Sequence, residues 1–481
     1  MRGWAVLLPL AMLAGCKTVG PDFSPPQGAA GDGYAAPANA ARSAPLARIG
    51  VSPERDWWRS FGSAELDALV TRALAGNQSL AASIATLEKA RARIALVTAR
   101  QQPQVDAHAQ LSHQQINMTA FGFDASTFGV AIDNPEFTLY SAGLGVSYDL
   151  DLWGGLKRGR EQAVAELETR QYEAEAARLA IAARTVLQAM SIAALNDRIA
   201  TLQALVDEDR RNLRLTEAKR RAGEGTLVEV LSAEGQLAAD QAALPQLEQM
   251  RAEGRNMLAV LLGISPAELG ATDFTLAAFR LPGEVPVSLP SELAHGRPDV
   301  MAAEARLHAA TAAIGMAEAR FYPDITLGAS FQQSANHPED LFKGAATGFD
   351  LLAGLTAPIF HGGALKAEKH GAEAEARAAA ARYRQTLLEA FGQVSDLLSA
   401  LDNDARTVSL RGQSANIADR SLALSRRSFQ VGNSGILQVL DASRAAQQAK
   451  LGLLDARAQQ LLNVARLYAA TARSLPEVQA N

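Results

Sequence analysis

The side chain whose setting promises covalent chemistry is Cys16, the single cysteine among 481 residues. It closes the run Leu13-Ala14-Gly15-Cys16, a lipobox-like segment whose small residues admit a lipoprotein signal peptidase and whose sulfur accepts diacylglycerol. The residues before it have the layout of a signal peptide. Arg2 gives a positive start, and Trp4 to Leu13 form an apolar core of about ten residues. That core is half of the roughly twenty residues a helix needs to span a bilayer. A free thiol in an oxidising compartment is an odd leftover, whereas a lipidated one is not. The expected mature chain begins at Cys16 and carries S-diacylglycerol and an N-palmitoyl group. Together these hold a protein to a membrane more firmly than one acyl chain can.

Elsewhere the reactive residue types do not fall into catalytic spacings. There is no GxxxxGK[ST] phosphate loop, no HExxH, no GxSxG elbow and no cysteine pair for zinc or redox work. The seven histidines are scattered, and His108 and His113 fall on opposite faces of an alternating segment. No enzyme, metal or other cofactor is expected. Loss of residues 1–15 removes Arg2 and no acid, leaving 45 basic against 51 acidic residues, a net charge of −6. Mild acidity gives no support to nucleic-acid binding.

The elements that must carry any function occur twice. Ala99-Arg100 followed by Pro103 has its counterpart in Ala319-Arg320 followed by Pro323. Residues 150–163 parallel 357–371, and 221–234 parallel 430–443, placing Gly223 opposite Gly432 and Leu231 opposite Leu440. Three landmarks in the same order make a duplicated unit of about 210 residues.

Four segments alternate between apolar and polar residues: 104–112, 144–152, 324–332 and, less cleanly because of Leu352, 350–359. Period two over such a length predicts strands with one apolar and one polar face. Four strands cannot close a barrel, since single-chain bacterial barrels start at about eight, and an open edge cannot sit in lipid. The strands either form a soluble sheet or are pooled by several copies, and three copies supply twelve.

The remainder reads as long helix. From Lys157 to about Ala222 no proline intervenes, and no glycine after Gly159, which predicts roughly 95 Å of helix at 1.5 Å per residue. Ile192, Leu195, Ile199, Leu202, Val206 and Leu213 keep the 3/4 spacing of a coiled-coil seam. Leu387, Phe391, Val394, Leu398, Leu401 and Val408 repeat it in a second long helix, from about Leu365 to Gln430. Shorter helices over 65–100 and 226–262 together match one long one, suggesting two stacked along each long helix. No helix of the mature chain has the uninterrupted apolar run of a membrane span.

The expected organisation is a signal peptide over 1–15, a poorly structured lipidated lead over 16–56, a first repeat over 57–262, an irregular connector over 263–297, a second repeat over 298–475 and a tail over 476–481. Segments 113–138 and 333–348, with Phe121, Phe123, Phe128 and Phe342, are expected to be loops between strands.

With these residues assembled, the chain resembles the outer membrane factors, the TolC-like proteins, and specifically their NodT-like lipoprotein branch serving drug-efflux pumps. The carrying segments are CKTVGPDF (16–23), WWRSFGSAELDALVTRAL (57–74), YDLDLWGGLKR (148–158), QVGNSGILQVLDA (430–442) and, most specific of all, the stretch from Arg297 to Leu327. They are spread over essentially the whole mature chain. The resemblance implies an α+β membrane protein: a homotrimer with a twelve-stranded barrel, four strands per chain, continuous with a coiled-coil helical barrel in the periplasm. It implies a passive duct for drugs and toxic small molecules. The implied partners are a periplasmic adaptor, an inner-membrane transporter of the resistance-nodulation-division type, and outer-membrane lipid. Lys17 after the cysteine implies sorting to the outer membrane.

The resemblance also assigns roles. The tips between helices, with Gly223, Gly432, Arg220, Arg221 and Asn433, would meet the adaptor. Asp441 would ring a periplasmic constriction, with Gln438 at the outer acidic position and Glu229 as its first-repeat counterpart. Some relatives latch the tips with a tyrosine and an arginine bonded to a first-repeat acid. Phe429 and Ser434 stand there instead, leaving Arg426 or Arg427 as the substitute. The alternatives are a duct for type I protein secretion, a pore-less coiled-coil scaffold lipoprotein, or an enzyme with an unrecognised site.

Overall fold

The computed structural model describes residues 18–26, 34, 46–118, 134–271 and 274–473. Cys16, Lys17, the signal-like segment, Phe121, Phe123 and Phe128 lie outside the described residues. In chain order the described strands are β1 (Leu46–Ile49), β2 (Gln104–Gln115), β3 (Glu136–Leu150), β4 (Glu284–Val287), β5 (Asp324–Ala335) and β6 (Thr347–Thr356). The α-helices are α1 (Ala64–Gly76), α2 (Gln78–Ala99), α3 (Gly155–Arg221), α4 (Leu227–Leu262), α5 (Pro290–Gly296), α6 (Pro298–Ala319), α7 (Ala364–Gln430) and α8 (Ile436–Thr471). They fall into two compact units. One is built from Met1–Pro25, Glu88–Glu168 and Ala305–Ala381, the other from Pro26–Leu87, Thr169–Glu304 and Arg382–Asn481.

The first unit holds an antiparallel sheet in the order β2-β3-β5-β6. Its register gathers the apolar sets of all four strands on one face, because directly opposed residues share a face. Val146 lies opposite Val105 and Ala329, Leu144 opposite Ala107 and Phe331, and Phe331 opposite Phe349. The other face carries Asp106, His108, Asp149, Thr326, Ser330 and Asp350. There the Thr326 hydroxyl donates to Asp149 at 2.9 Å and that of Ser330 to Asp350 at 3.3 Å. Leu352 opposes Gly328 on this polar face, which is why the fourth segment alternates poorly.

Two expectations are corrected here. The strands run further toward the loops than alternation suggests, taking in 113–115, 136–143, 333–335 and 347–349, and the second and fourth end at Leu150 and Thr356 rather than at 152 and 359. The outer parts pair through backbone hydrogen bonds without strict polar alternation, so period two under-reports them. His113, for example, bridges to Glu136 at 2.8 Å across the pair.

The long helices α3 and α7 have 67 residues each, and α4 and α8 have 36 each. Every pair is offset by the same 209 positions, so the duplication holds to the residue in this part of the chain. Asp151 caps α3, accepting from the amides of Leu156 at 3.0 Å and Lys157 at 2.8 Å, and the helix starts slightly before Lys157. Ile192, Ile199, Leu202 and Val206 on α3, and Leu387, Val394, Leu398 and Leu401 on α7, are buried as the seam spacing demands.

In the second unit the core gathers around Trp57, Phe61 and Tyr468, with the Trp57 and Tyr468 rings stacked at 5.7 Å. The expected lead and connector contribute more than loose chain. Leu46–Ile49 pairs in parallel with Glu284–Val287, and Val285 and Val287 are fully buried. Four residues are too few for alternation to register. The expected helix over 65–100 is two helices broken at Asn77, whose carboxamide accepts from the Leu80 amide and donates to the Leu261 carbonyl. Arg297 grips Asp299 with two nitrogens at 2.9 Å and caps the Ala470 carbonyl at 3.2 Å, tying the start of α6 to the end of α8.

Candidate functional site

The two helix tips have the same construction. After α3, Gly223 turns with φ +79° and the Glu224 amide returns to the Lys219 carbonyl at 2.9 Å. After α7, Gly432 turns with φ +79° and the Asn433 amide returns to the Ser428 carbonyl at 2.9 Å. A positive φ at this place is what glycine permits at a helix end. Arg220, Arg221, Gly223, Gly432 and Asn433 are all exposed around these turns.

The acids have different settings. Glu229 completes a capping box at the start of α4: its carboxylate accepts from the Thr226 amide at 2.7 Å, and its own amide donates to the Thr226 hydroxyl. Its charge is already engaged locally. Asp441 and Gln438 lie three residues apart on the exposed face of α8, opposite buried Ile436, Val439 and Leu440.

Between the tips runs a set of contacts that join the first repeat to the second. The Lys219 ammonium stands 3.8 Å over the Phe429 ring, a cation–π contact where a tyrosine bond was missing. Arg426 pairs with Glu208 of α3, so of the two arginines flagged by resemblance it is Arg426 that meets a first-repeat acid, while Arg427 is exposed. Ser443 adds a hydrogen bond to Glu208 at 3.3 Å. Further along, Arg444 of α8 donates to Gln236 of α4 at 2.8 Å, and Gln236 donates to Asp240 at 2.7 Å. The Ser434 hydroxyl is buried with no partner.

Asp209 is the group that sequence reasoning missed. It is 3% exposed and faces Asp240, and its carboxyl is pushed up to about 7, first by burial and then by the hydrogen bond and charge of Asp240, against the pull of Arg444. A carboxyl raised in this way keeps its proton through the acidic range. The only sign in the sequence is a charged residue beside a coiled-coil seam, which most often means solvated surface. An apolar knot of Leu422, Ile436, Val439, Leu440 and Ala233, with Leu213 and Phe429 against it, packs between these polar links. Among the described residues no group of three or more His, Cys, Asp or Glu side chains converges on a metal-sized site.

This arrangement can do mechanical work: a few weak, reversible links hold two helix pairs together at one end. An exposed cation–π contact or ion pair is worth roughly 0.5–1 kcal/mol.

Known proteins resemble the chain over most of its length. The outer membrane efflux protein family matches residues 69–264 and 289–473. The pyoverdine export outer membrane protein OpmQ of Pseudomonas aeruginosa is 32% identical over 455 residues, covering 94% of each chain. The probable outer membrane lipoprotein SilC of Salmonella typhimurium is 26% identical, covering 95% of this chain and 96% of its own. The solved structure of the outer-membrane channel OprN superposes with a TM-score of 0.86 at 26% identity, covering 95% of this chain and 99% of that one. A duplicated strand–helix unit with paired tips, matched end to end in this way, makes the chain a member of the outer membrane efflux protein family, the outer-membrane component of an efflux system.

Proposed function

We propose that three copies of this chain pool their sheets into a twelve-stranded barrel through the outer membrane, continuous with a coiled-coil barrel of helices in the periplasm. The observation that carries this reading is the uncovered sheet. Its apolar face is bare, with Leu111 at 64%, Phe349 at 74% and Leu351 at 79% exposure, and among the described residues β2 and β6 each pair on one side only. Lipid satisfies such a face and closure satisfies such edges. On α7, Leu410, Ile417 and Leu424 are exposed every seventh residue, a stripe suited to a neighbouring copy.

In this reading the duct is passive, with no catalytic step. An inner-membrane transporter of the resistance-nodulation-division type drives export of toxic small molecules, and a periplasmic adaptor opens the tips around Arg220, Arg221, Gly223, Gly432 and Asn433. Asp441, tripled about the axis, favours cations at the constriction, where Gln438 and Glu229 stand with it. Cys16 carries the lipid that tethers and sorts the chain, in keeping with the name of its relative SilC. Purified protein should elute with the mass of three copies and form discrete conductance steps in planar bilayers. A monomer without conductance would sink the reading in favour of a pore-less scaffold.

A further inference from the structure

The segment Thr18–Phe23, which follows Cys16 almost directly, is held by the first unit more tightly than a leader requires. The Val19 amide donates to the Trp153 carbonyl at 3.1 Å. Arg158, its side chain only 5% exposed, donates to the carbonyls of Val19 at 3.1 Å and Gly20 at 3.2 Å, and to Asp22 and Glu161, each at 2.7 Å. The Phe23 ring lies flat on His308, with centroids 4.4 Å apart, and His308 in turn meets Glu161 at 3.1 Å.

Gly20, at φ +87°, presses backbone against backbone on Gly315 of α6: a Cβ on Gly20 would stand 2.3 Å from the Gly315 Cα. A Cβ on Gly315 would stand 2.8 Å from Arg158 Cγ. A guanidinium buried to this degree is costly unless its donors are used, and three of the four bonds from Arg158 go to this segment. The groove is therefore shaped for an occupant.

The groove's position gives the occupancy a purpose. Trp153 stacks on Tyr322 at 4.6 Å and donates to the Pro323 carbonyl at 2.8 Å, where β3 leaves for α3 and α6 delivers β5. Trp and Tyr at strand ends mark the level of the lipid headgroups. Cys16 is two residues before Thr18, so its Cα lies within about 8 Å of that of Thr18.

We propose that the groove of Arg158, His308 and Gly315 is a receptor for the chain's own segment Thr18–Phe23, and that seating it fixes the acyl chains of Cys16 at the level of Trp153 and Tyr322. Arg158 is then a positioning residue for insertion. A lipid on a loose leader would tether the protein, whereas a lipid on a seated leader also sets the depth and orientation of the strand ends. The seating stands on the contacts above; its purpose rests on the lipidated, membrane-spanning reading.

The test uses the full-length protein in phosphatidylethanolamine–phosphatidylglycerol vesicles, with a nitroxide attached through Ser24→Cys, the one free thiol when Cys16 is acylated. The label should move slowly in this background and also with Cys16→Ser. It should loosen several-fold with Arg158→Ala and with Phe23→Ala, and less with Arg158→Lys. Phe23→Ala changes only the segment, so loosening there is not a folding defect. A label already loose without further substitution, or unmoved by both alanines, overturns the receptor.

For the purpose, mass spectrometry of the N-terminus establishes the lipid separately. With the lipid present, Phe23→Ala should lower the fraction of pore-forming protein several-fold. Unchanged insertion overturns the positioning role. An N-terminus without lipid overturns the anchor reading and the purpose with it, while the label still decides the seating.

Discussion

The ammonium of Lys219, in the last turn of α3, stands 3.8 Å over the ring of Phe429, in the last turn of α7, and thereby joins the two repeats beside their tips. If this contact helps hold the tips together, losing either partner should raise the resting conductance. Phe429→Ala and Lys219→Met should each increase the open fraction in planar bilayers several-fold. The double variant should add little to either single change, because both remove the same link. Fully additive effects would show that the residues act separately.

Arg426 and Glu208 offer a test by exchange. Arg426→Glu alone places two acids together and should loosen the tips, and Glu208→Arg alone should do the same with two bases. The combined swap should restore resting conductance toward that of the unaltered protein. The contact of Lys219 with Phe429 remains in place throughout, and the swap does not return the Ser443 acceptor lost with Glu208, so restoration reports on the pair. Failure of the swap to recover any closure would remove the ion pair from the latch.

The raised carboxyl of buried Asp209 makes stability depend on pH. The Asp209 carboxyl is raised from its ordinary 3.8 to about 7, so between those values the folded chain keeps a proton that the unfolded chain has released. Stability therefore falls as pH rises through that window and stays reduced above it. Asp209→Asn should flatten the dependence and raise Tm at pH values above the window by several degrees, while changing little below it. Equal melting of both proteins in mild alkali would mean that Asp209 carries no such burden.

Asp441 lies exposed on α8 with Gln438 one turn before it. Asp441→Ala should reduce the preference for cations measured as a reversal potential under a salt gradient, and Gln438→Glu should increase it. Glu229→Gln should instead weaken the start of α4, because that carboxylate is engaged with Thr226. Selectivity indifferent to Asp441 would remove the acidic constriction.

The bare face of the sheet predicts where charge cannot be tolerated. Leu351→Arg places a cation on the apolar face of β6, opposite Ala329. At mid-membrane such a substitution costs about 2–4 kcal/mol. Insertion into vesicles should fall sharply, whereas Asp350→Asn on the opposite face should insert normally. Equal insertion of the two would place the sheet outside lipid.

Much of this architecture is legible from periodicity. The strands around Val105, Leu144, Leu327 and Leu351 and the seams of α3 and α7 are long repeating patterns, and each side chain reports its own environment. The tips are legible too, because Gly223 and Gly432 each end a helix in a way that chain direction alone requires. What escapes is pairing across distance. Nothing local marks Lys219 as the partner of Phe429, or Asp209 as the neighbour of Asp240, since those contacts depend on how four helices pack. The pairing of Leu46–Ile49 with Glu284–Val287 escapes for a second reason, being too short to carry a period. Asn77 looks like any polar helix residue until Leu261 is seen to need its amide.

Among the described residues one edge each of β2 and β6 is unpaired, and this has a consequence in time as well as in space. Until another strand meets each of them, a newly delivered copy offers two open hydrogen-bonding templates and an uncovered greasy surface to whatever is near. A solitary chain is thus a hazard in proportion to how long it remains solitary. Its yield depends on the race between meeting its own kind and meeting the wrong neighbour, a matter of traffic and concentration rather than of the stability of any finished fold.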